Sequence, residues 1–137
     1  RFQVLPGRPT VALDVAHNPQ AARVLAANLG DMAFHPVTWA VFGMMRDKDI
    51  AGVIDAMRHR VDHWLPASLP APRGATASEL AEALSSTGVA NIACTFASAA
   101  DAFAHARSQA GENDRIVAFG SFITVADVLR ALGRGAS

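Results

Sequence analysis

Residues 37–43, Val37-Thr38-Trp39-Ala40-Val41-Phe42-Gly43, form a largely apolar run that ends at a glycine. Continuous apolar runs of this length are typical of strands buried on both faces, because a strand with one face in water alternates between apolar and polar residues. Comparable runs recur along the chain. They predict further strands at residues 2–5, 11–13, 61–65, 91–96 and 116–119, with the strand at 2–5 at an edge of the sheet.

Between these runs, apolar residues recur at the i, i+3, i+4, i+7 spacing of an amphipathic helix that packs on a sheet. Strand and helix alternate, and this order predicts a mostly parallel sheet covered by helices. We therefore expect a Rossmann-like, three-layer α/β domain with about six strands and helices on both faces. The stripes that predict the helices are Ala21, Val24, Leu25 and Leu29; Ile50, Val53, Ile54 and Met57; Ala77, Leu80, Ala81 and Leu84; Ala99, Ala102, Phe103 and Ala106; and Val125, Val128, Leu129 and Leu132.

The composition excludes several classes of protein. Hydrophobic residues make up 51% of the 137 residues and charged residues 18%, which excludes a disordered chain and fits one globular domain. Lys and Arg number 12, and Asp and Glu number 12, so the formal net charge is zero. The chain therefore lacks the basic excess expected of a nucleic-acid-binding protein or a polybasic membrane anchor.

The sequence also indicates a cellular setting. A single cysteine, Cys94, excludes a disulfide framework and a cysteine-cluster zinc site. Its apolar neighbours predict that its side chain is buried. No apolar run reaches the roughly 18–20 residues of a membrane span, and no signal-peptide pattern is present. These features favour a reducing, cytoplasmic setting.

The expected ligand site lies at the carboxyl ends of the strands, where open parallel sheets bind their ligands. The first segment there is Asp14-Val15-Ala16-His17-Asn18-Pro19, in which Asn18 is an expected N-cap and Pro19 the first helical residue. The carboxylate of Asp14 can accept two hydroxyls, as of a ribose diol, or simply close a turn. His17 precedes a helix N-terminus, which suits a phosphate or carboxylate, or it packs on the loop.

Two further segments, at residues 43–49 and 120–124, begin at glycines, which allow a sharp exit from a strand. In the earlier segment, Asp47 is the expected N-cap of the next helix. Lys48 is either a ligand for an anion or a solvated surface charge. In the later segment, Ser121 offers a hydroxyl and a backbone N–H at a helix start, which suits a carboxylate and equally suits an ordinary N-cap.

Several catalytic signatures are absent from the sequence. No GxGxxG or GxxxxGK[ST] motif cradles nucleotide phosphates, and no GxSxG elbow marks Ser121 as a nucleophile. His59 and His63 have i, i+4 spacing, but no carboxylate pair follows them and their helix is expected to end near Arg60. A metal site there is disfavoured. The chain offers binding groups but no nucleophile–base pair.

Four motifs, taken in order, carry a resemblance. They are Asp14-Val15-Ala16-His17-Asn18-Pro19; Val41-Phe42-Gly43-Met44 with Asp47-Lys48-Asp49; Pro72-Arg73-Gly74-Ala75; and Gly120-Ser121-Phe122. Together they resemble the C-terminal domain of bacterial bifunctional dihydrofolate synthase/folylpolyglutamate synthase, in the Mur ligase superfamily of ATP-dependent amide ligases. The resemblance covers residues 1–137. It implies that an N-terminal ATPase domain with a P-loop precedes Arg1 in the whole enzyme, as the lack of an initiator methionine also suggests.

The resemblance implies roles for individual residues. Arg1 and Asp14 would bind ATP, with Asp14 at the ribose. His17 and Ser121 would seat the incoming L-glutamate or the reacting end of the acceptor. Mg²⁺ would be held by the N-terminal ATPase domain.

Asn18 and Lys48 are possible further contacts to these ligands. The chain departs from the family pattern at Ile123, where related sequences often carry a histidine. The resemblance therefore implies no polar role at that position.

The implied reaction is the ATP-dependent addition of L-glutamate to dihydropteroate or folate through an acyl phosphate. Such a reaction depends on positioning and charge stabilisation, and the chain alone, without a P-loop, is expected to be inactive. Two alternatives remain open. One is another Mur-type amide ligase, acting on peptidoglycan precursors, and the other is a non-catalytic α/β module that binds a small ligand.

Overall fold

The computed structural model describes residues 1–92 and 94–133, which form five strands and five α-helices. No helix in this part of the chain is long and apolar enough to cross a membrane. A short 3₁₀ turn, Arg58–Arg60, follows the second helix, so helical structure ends near Arg60, as the sequence predicted. The elements in chain order are β1 (Gln3–Leu5), β2 (Thr10–Asp14), α1 (Pro19–Asp31), β3 (Thr38–Phe42), α2 (Ile50–Met57), β4 (His63–Pro66), α3 (Ala77–Ser86), α4 (Ala99–Gln109), β5 (Arg115–Phe119) and α5 (Phe122–Ala131).

The strands form one sheet in the order β1-β2-β5-β3-β4. β1 pairs antiparallel with β2 at the edge, and the other pairs are parallel, which confirms a mostly parallel sheet with an added edge strand. Successive residues of each strand face opposite sides. In β5, Val117 packs in the core under α1, α2 and α3, and Ile116 packs in the core under α4 and α5. The predicted three-layer arrangement is confirmed.

The predicted strand at residues 91–96 is wrong in the part that the structure describes. Ile92 makes an isolated bridge to Trp64, and Phe96 makes another to Ala67. The sequence offset between partners is 28 residues in the first bridge and 29 in the second, so one extra residue interrupts the register and a continuous ladder cannot form. Cys94 lies on this interrupted edge and is exposed, so its predicted burial is also wrong.

Two helix starts illustrate how the caps fix the chain at the strand ends. Asn18 caps α1, with its side-chain oxygen accepting from the Ala21 N–H at 2.8 Å, as predicted. The predicted cap of α2 was Asp47, and this is wrong. Asp49 caps α2 instead, accepting from the Gly52 N–H at 3.0 Å, because residues 45–48 first close a turn that delays the helix.

At the end of the sheet where the parallel strands begin, a buried arginine joins the sheet to α1. The apolar pattern did not reveal it. Arg115, 8% exposed, donates from Nε to Oγ1 of Thr38 and from a terminal nitrogen to the carbonyl of Leu29, each at 2.7 Å. Burial, and secondarily the charge of Arg60, lowers the pKa of the Arg115 guanidinium. Leu29 lies in the last turn of α1, where a cation complements the helix dipole. The contact ties the end of α1 to the sheet.

Candidate functional site

The three segments selected from the sequence meet at one edge of the sheet. β5 lies between β2 and β3, and Phe119 at its end is in register with both Asp14 and Phe42. The turn from β2 to α1 contributes residues to two open cavities at this edge. We call them the Asp14 cavity and the His17 cavity. The Asp14 cavity, about 400 Å³, is lined by Arg1, Phe2, Asp14, Asn18, Gln20, Ala21, Val24 and Asn28. The His17 cavity, about 260 Å³, is lined by His17, Met45, Lys48, Gly120, Ser121, Phe122 and Ile123.

Asp14 is largely buried, at 8% exposure, yet only one of its two carboxylate oxygens is hydrogen-bonded within the described residues. Oδ1 accepts from the Ala16 N–H at 2.9 Å and from the main-chain nitrogen of Arg1 at 3.3 Å. The described residues give Oδ2 no hydrogen-bond partner. Asn18 lines the same cavity, but its oxygen is used in capping α1, so only its NH₂ group remains to donate to a ligand.

His17 and Lys48 bring two nitrogen-bearing side chains to the His17 cavity. Nδ1 of His17 lies 3.0 Å from the carbonyl of Val15, and because a carbonyl only accepts, Nδ1 carries the proton. In the neutral ring, Nε2 is therefore an acceptor. Lys48 is exposed, and no carboxylate in the described part of the chain lies within ion-pair distance of it. Phe122 is 72% exposed and belongs to the cavity rather than to the core.

Ser121 is the N-cap of α5, which confirms the ordinary role that the sequence left open beside a ligand role. Its Oγ accepts from the Thr124 N–H at 3.1 Å, and the residue is 7% exposed. The first two helical N–H groups, those of Phe122 and Ile123, have no intrahelical acceptor because they begin a helix. The cavity therefore meets the positive end of α5.

Two glycines let the neighbouring strand ends approach each other. Gly120 has φ of +115°, and a Cβ there would collide with the carbonyl oxygen of Gly43. A Cβ on Gly43 would lie 2.6 Å from Oγ1 of Thr124. The segments after β3 and β5 are thus packed backbone against backbone, with no space for a side chain between them.

The loop at residues 67–75 braces the segment that carries Lys48, a role that the sequence did not reveal. Gly74 forms an isolated bridge with Met45, and Arg73 pairs with Asp47 at 3.1 Å. Leu69 and Ala75 are buried beneath this contact. The loop is ordered, and it fixes the cavity wall. Asp47, which does not cap α2, acts here as the partner of Arg73.

A second contact joins the segment that carries Lys48 to α3. Arg46 holds Glu79 with two nitrogens, Nε at 3.1 Å from Oε2 and a terminal nitrogen at 3.0 Å from Oε1. Glu79 also completes a capping box with Thr76. The hydrogen bond from Arg46, and then that from the Thr76 backbone, lowers the pKa of Glu79 from 4.5 to about 2.

Glu79→Gln should reduce the fall in folding stability that occurs as the pH is lowered. The folded-state pKa of Glu79 lies below its unfolded value, so its contribution is present above pH 4.5 and is lost as pH falls towards 2. We expect the urea midpoints of the variant and the parent chain to differ at pH 6 and to converge only as the pH falls to about 2 and below. Glu82→Gln, on the same helix but in no ion pair of the described residues, is the matched control and should give a pH-independent difference. A Glu79→Gln difference that stayed constant with pH would contradict the assignment.

The residues present do not fit a bound magnesium ion. Within residues 1–92 and 94–133, no three His, Cys, Asp or Glu side chains are grouped to hold a metal ion. Asp14 offers one free oxygen in a cavity that it shares with the cationic Arg1, whereas Mg²⁺ is usually held by carboxylates together with substrate phosphates.

Comparisons with known proteins identify the family of this chain. Residues 1–122 match the family described as Mur ligase, glutamate ligase domain. A relative from Escherichia coli strain K12, dihydrofolate synthase/folylpolyglutamate synthase, is 39% identical over 132 residues, covering 96% of this chain and 30% of the relative. The chain from Haemophilus influenzae with the same name is 36% identical over 121 residues, covering 87% and 28%.

Solved structures show the same relationship. E. coli FolC in complex with DHPP and ADP superposes with a TM-score of 0.89 at 40% identity, covering 97% of this chain and 31% of that one. A bifunctional folylpolyglutamate synthase/dihydrofolate synthase with Mn, AMPPNP and L-glutamate bound gives a TM-score of 0.87 at 43% identity, with 97% and 31% covered. This chain spans about 30% of the length of the curated relatives it matches. It belongs to the family of Mur ligase glutamate ligase domains, and it is homologous to the C-terminal domain of dihydrofolate synthase/folylpolyglutamate synthases.

Proposed function

We propose that this chain, residues 1–137, is the C-terminal domain of a longer ATP-dependent ligase that adds L-glutamate to dihydropteroate or folate. Its solved relatives bind ADP with DHPP in one case, and Mn, AMPPNP and L-glutamate in another. An N-terminal domain would supply the P-loop and the ligands of the divalent ion, Mg²⁺ in the cell. The cytoplasmic setting expected from the sequence stays a prediction.

The observation that carries this proposal is that residues of the β2–α1 turn line two different cavities. Asp14 and Asn18 line one cavity, and His17, between them in sequence, lines the other. A reaction that joins a nucleotide-activated group to an amino acid needs two sites side by side with a short path between them. One tight turn provides this arrangement.

The Asp14 cavity suits the nucleoside part of ATP. The free Oδ2 of Asp14 would accept a ribose hydroxyl, and the Asn18 NH₂ group would donate to an oxygen of the nucleotide. The side chain of Arg1 is 99% exposed at the mouth of this cavity, so it is free to meet a phosphate or the base. A guanidinium offers donors in a fixed plane that match phosphate oxygens.

The His17 cavity suits L-glutamate. Lys48 and the N-terminal N–H groups of α5 would hold carboxylates, the only charged acceptors that glutamate offers. Nε2 of neutral His17, an acceptor, would take a hydrogen bond from the amine and leave its lone pair free for attack. Ser121 would contribute through its backbone position at the start of α5.

The chemistry then needs no side-chain nucleophile. The acceptor carboxylate takes the γ-phosphoryl group of ATP and releases ADP, and the amine of glutamate attacks the acyl phosphate. The tetrahedral intermediate expels phosphate and loses a proton to give the amide. Closure of this domain on the N-terminal ATPase domain would position the amine and exclude water.

Phosphate release tests the proposal. The longer ligase, given Mg-ATP, L-glutamate and either dihydropteroate or tetrahydrofolate, should turn over only when both glutamate and a pterin are present. The 137-residue chain alone should release no phosphate, because it has no P-loop. Turnover by the chain alone would overturn the division of labour between the domains. Phosphate release by the longer protein with a peptidoglycan precursor but with neither pterin would assign it to another Mur-type ligase.

A further inference from the structure

The hydroxyl of Thr124 connects two segments of the proposed glutamate site. Thr124 is fully buried in the first turn of α5, at 0% exposure. Its Oγ1 lies 3.0 Å from the carbonyl oxygen of Gly43, at the end of β3, and 2.9 Å from Oγ of Ser121, at the end of β5. A single hydroxyl therefore bridges the two strand ends that flank the His17 cavity.

The direction of each proton in this bridge follows from its partners. The Gly43 carbonyl can only accept, so Thr124 donates its one hydroxyl proton to it. Oγ1 of Thr124 must then accept from Ser121, whose hydroxyl proton points inward. Ser121 Oγ also accepts from the Thr124 N–H at 3.1 Å. The Ser121 hydroxyl has therefore no proton left to donate to a carboxylate in the cavity.

We propose that Thr124 is a positioning residue for glutamate binding, an inference that rests on the proposed function. It fixes the first turn of α5 against Gly43 and keeps the Ser121 proton inside the protein. The carboxylate of the ligand then meets the N–H groups of α5 in a set orientation. The carboxylate-binding groups at this side of the cavity are main-chain N–H groups, which Thr124 aligns, and not the Ser121 hydroxyl.

Thr124→Val and Thr124→Ser separate this role from simple packing. Valine keeps the shape and removes the hydroxyl, whereas serine keeps the hydroxyl and removes a methyl group. In the longer ligase we expect valine to raise the KM for L-glutamate about tenfold, since one buried hydrogen-bonded group is lost at the site. Serine should restore the KM to within about twofold of the parent value, and the KM for ATP should stay unchanged in both variants.

Thr38→Val is the matched control, because Thr38 is also buried and hydrogen-bonded but lies at the opposite edge of the sheet, beside Arg115. It should lower stability without moving the KM for glutamate. Equal effects of Thr124→Val on both KM values, or no difference between valine and serine, would refute a positioning role.

A double variant gives a further test. Ser121→Ala and Thr124→Val remove two members of one hydrogen-bonded unit, so the combined rise in the KM for glutamate should not exceed the larger single effect by more than about twofold. A multiplicative rise would show that Ser121 contacts glutamate on its own.

Amide hydrogen exchange on the 137-residue chain needs no activity and therefore separates failure of this inference from failure of the proposed function. The amide of residue 124, after correction for the intrinsic exchange rate of each residue type, should be less protected in the valine variant than in the serine variant, whatever the ligand. If the ligase shows no glutamate-dependent turnover but this exchange difference is present, the proposed function fails and the bridge stands. Equal protection of the residue 124 amide in the valine and serine variants would refute the bridge itself.

Discussion

Asp14→Ala should weaken ATP binding to the longer ligase by about 10- to 100-fold. The variant removes a charged side chain that lines the Asp14 cavity and whose Oδ2 has no hydrogen-bond partner among the described residues. A hydrogen bond to a charged group contributes about 1.5–3 kcal/mol, which corresponds to this range of affinity. Titration calorimetry with ADP measures the effect directly.

Alanine also removes the hydrogen bond that the Ala16 N–H donates to Oδ1, so two further variants isolate the ligand contact. Asp14→Asn keeps a carbonyl oxygen for that N–H and should fold like the parent. Asp62→Ala is the matched control, because Asp62 accepts from the Thr38 N–H at 2.8 Å in a similar way at the opposite edge of the sheet. Its ADP affinity should be unchanged.

The ribose assignment has its own test within the same series. The parent ligase should prefer ADP to 2′,3′-dideoxy-ADP, and the preference should largely vanish in Asp14→Ala. Unchanged ADP affinity in a folded Asp14→Ala protein, or a preference that survives the substitution, would place the ribose elsewhere.

The apolar pattern predicted the fold well because the parallel strands, β2 to β5, are buried on both faces. In β5, residues Ile116 and Val117 enter different cores, so the strand reads as a continuous run. The stretch at 91–96 shows the same run, yet its register shifts by one residue between its two bridges. Register depends on the partner strand and not on the run itself, and so the sequence could not exclude a sixth strand.

The grouping of the site residues was predictable for a related reason. The carboxyl ends of parallel strands lie at one edge, and the N-cap signals at Asn18 and Ser121 marked where two of the helices begin. Spacing could not predict that Asp14 and Asn18 line one cavity and His17 the other. That depends on the side of the β2–α1 turn to which each side chain points. The bracing by Arg73 and the bridge through Thr124 are long-range contacts with no local pattern.

Gly120→Ala should lower the free energy of unfolding of the 137-residue chain by about 2–5 kcal/mol, a large share of the roughly 5–15 kcal/mol available to a domain. Two costs combine. The φ of +115° disfavours any side chain by about 1–2 kcal/mol, and the new Cβ collides with the Gly43 carbonyl, where overpacking adds about 1–3 kcal/mol. Urea denaturation, with midpoint and slope both fitted, measures the loss.

Gly88→Ala separates the two costs. Gly88 also has a positive φ, +86°, but the one heavy atom near its added Cβ is the flexible end of Arg58 at 3.2 Å. Its loss should be only the backbone cost of about 1–2 kcal/mol. The difference between the two variants then measures how tightly the ends of β3 and β5 are packed at the site. Equal losses would mean that the Gly43 segment moves aside freely, and the two walls of the His17 cavity would then not be held in one fixed arrangement.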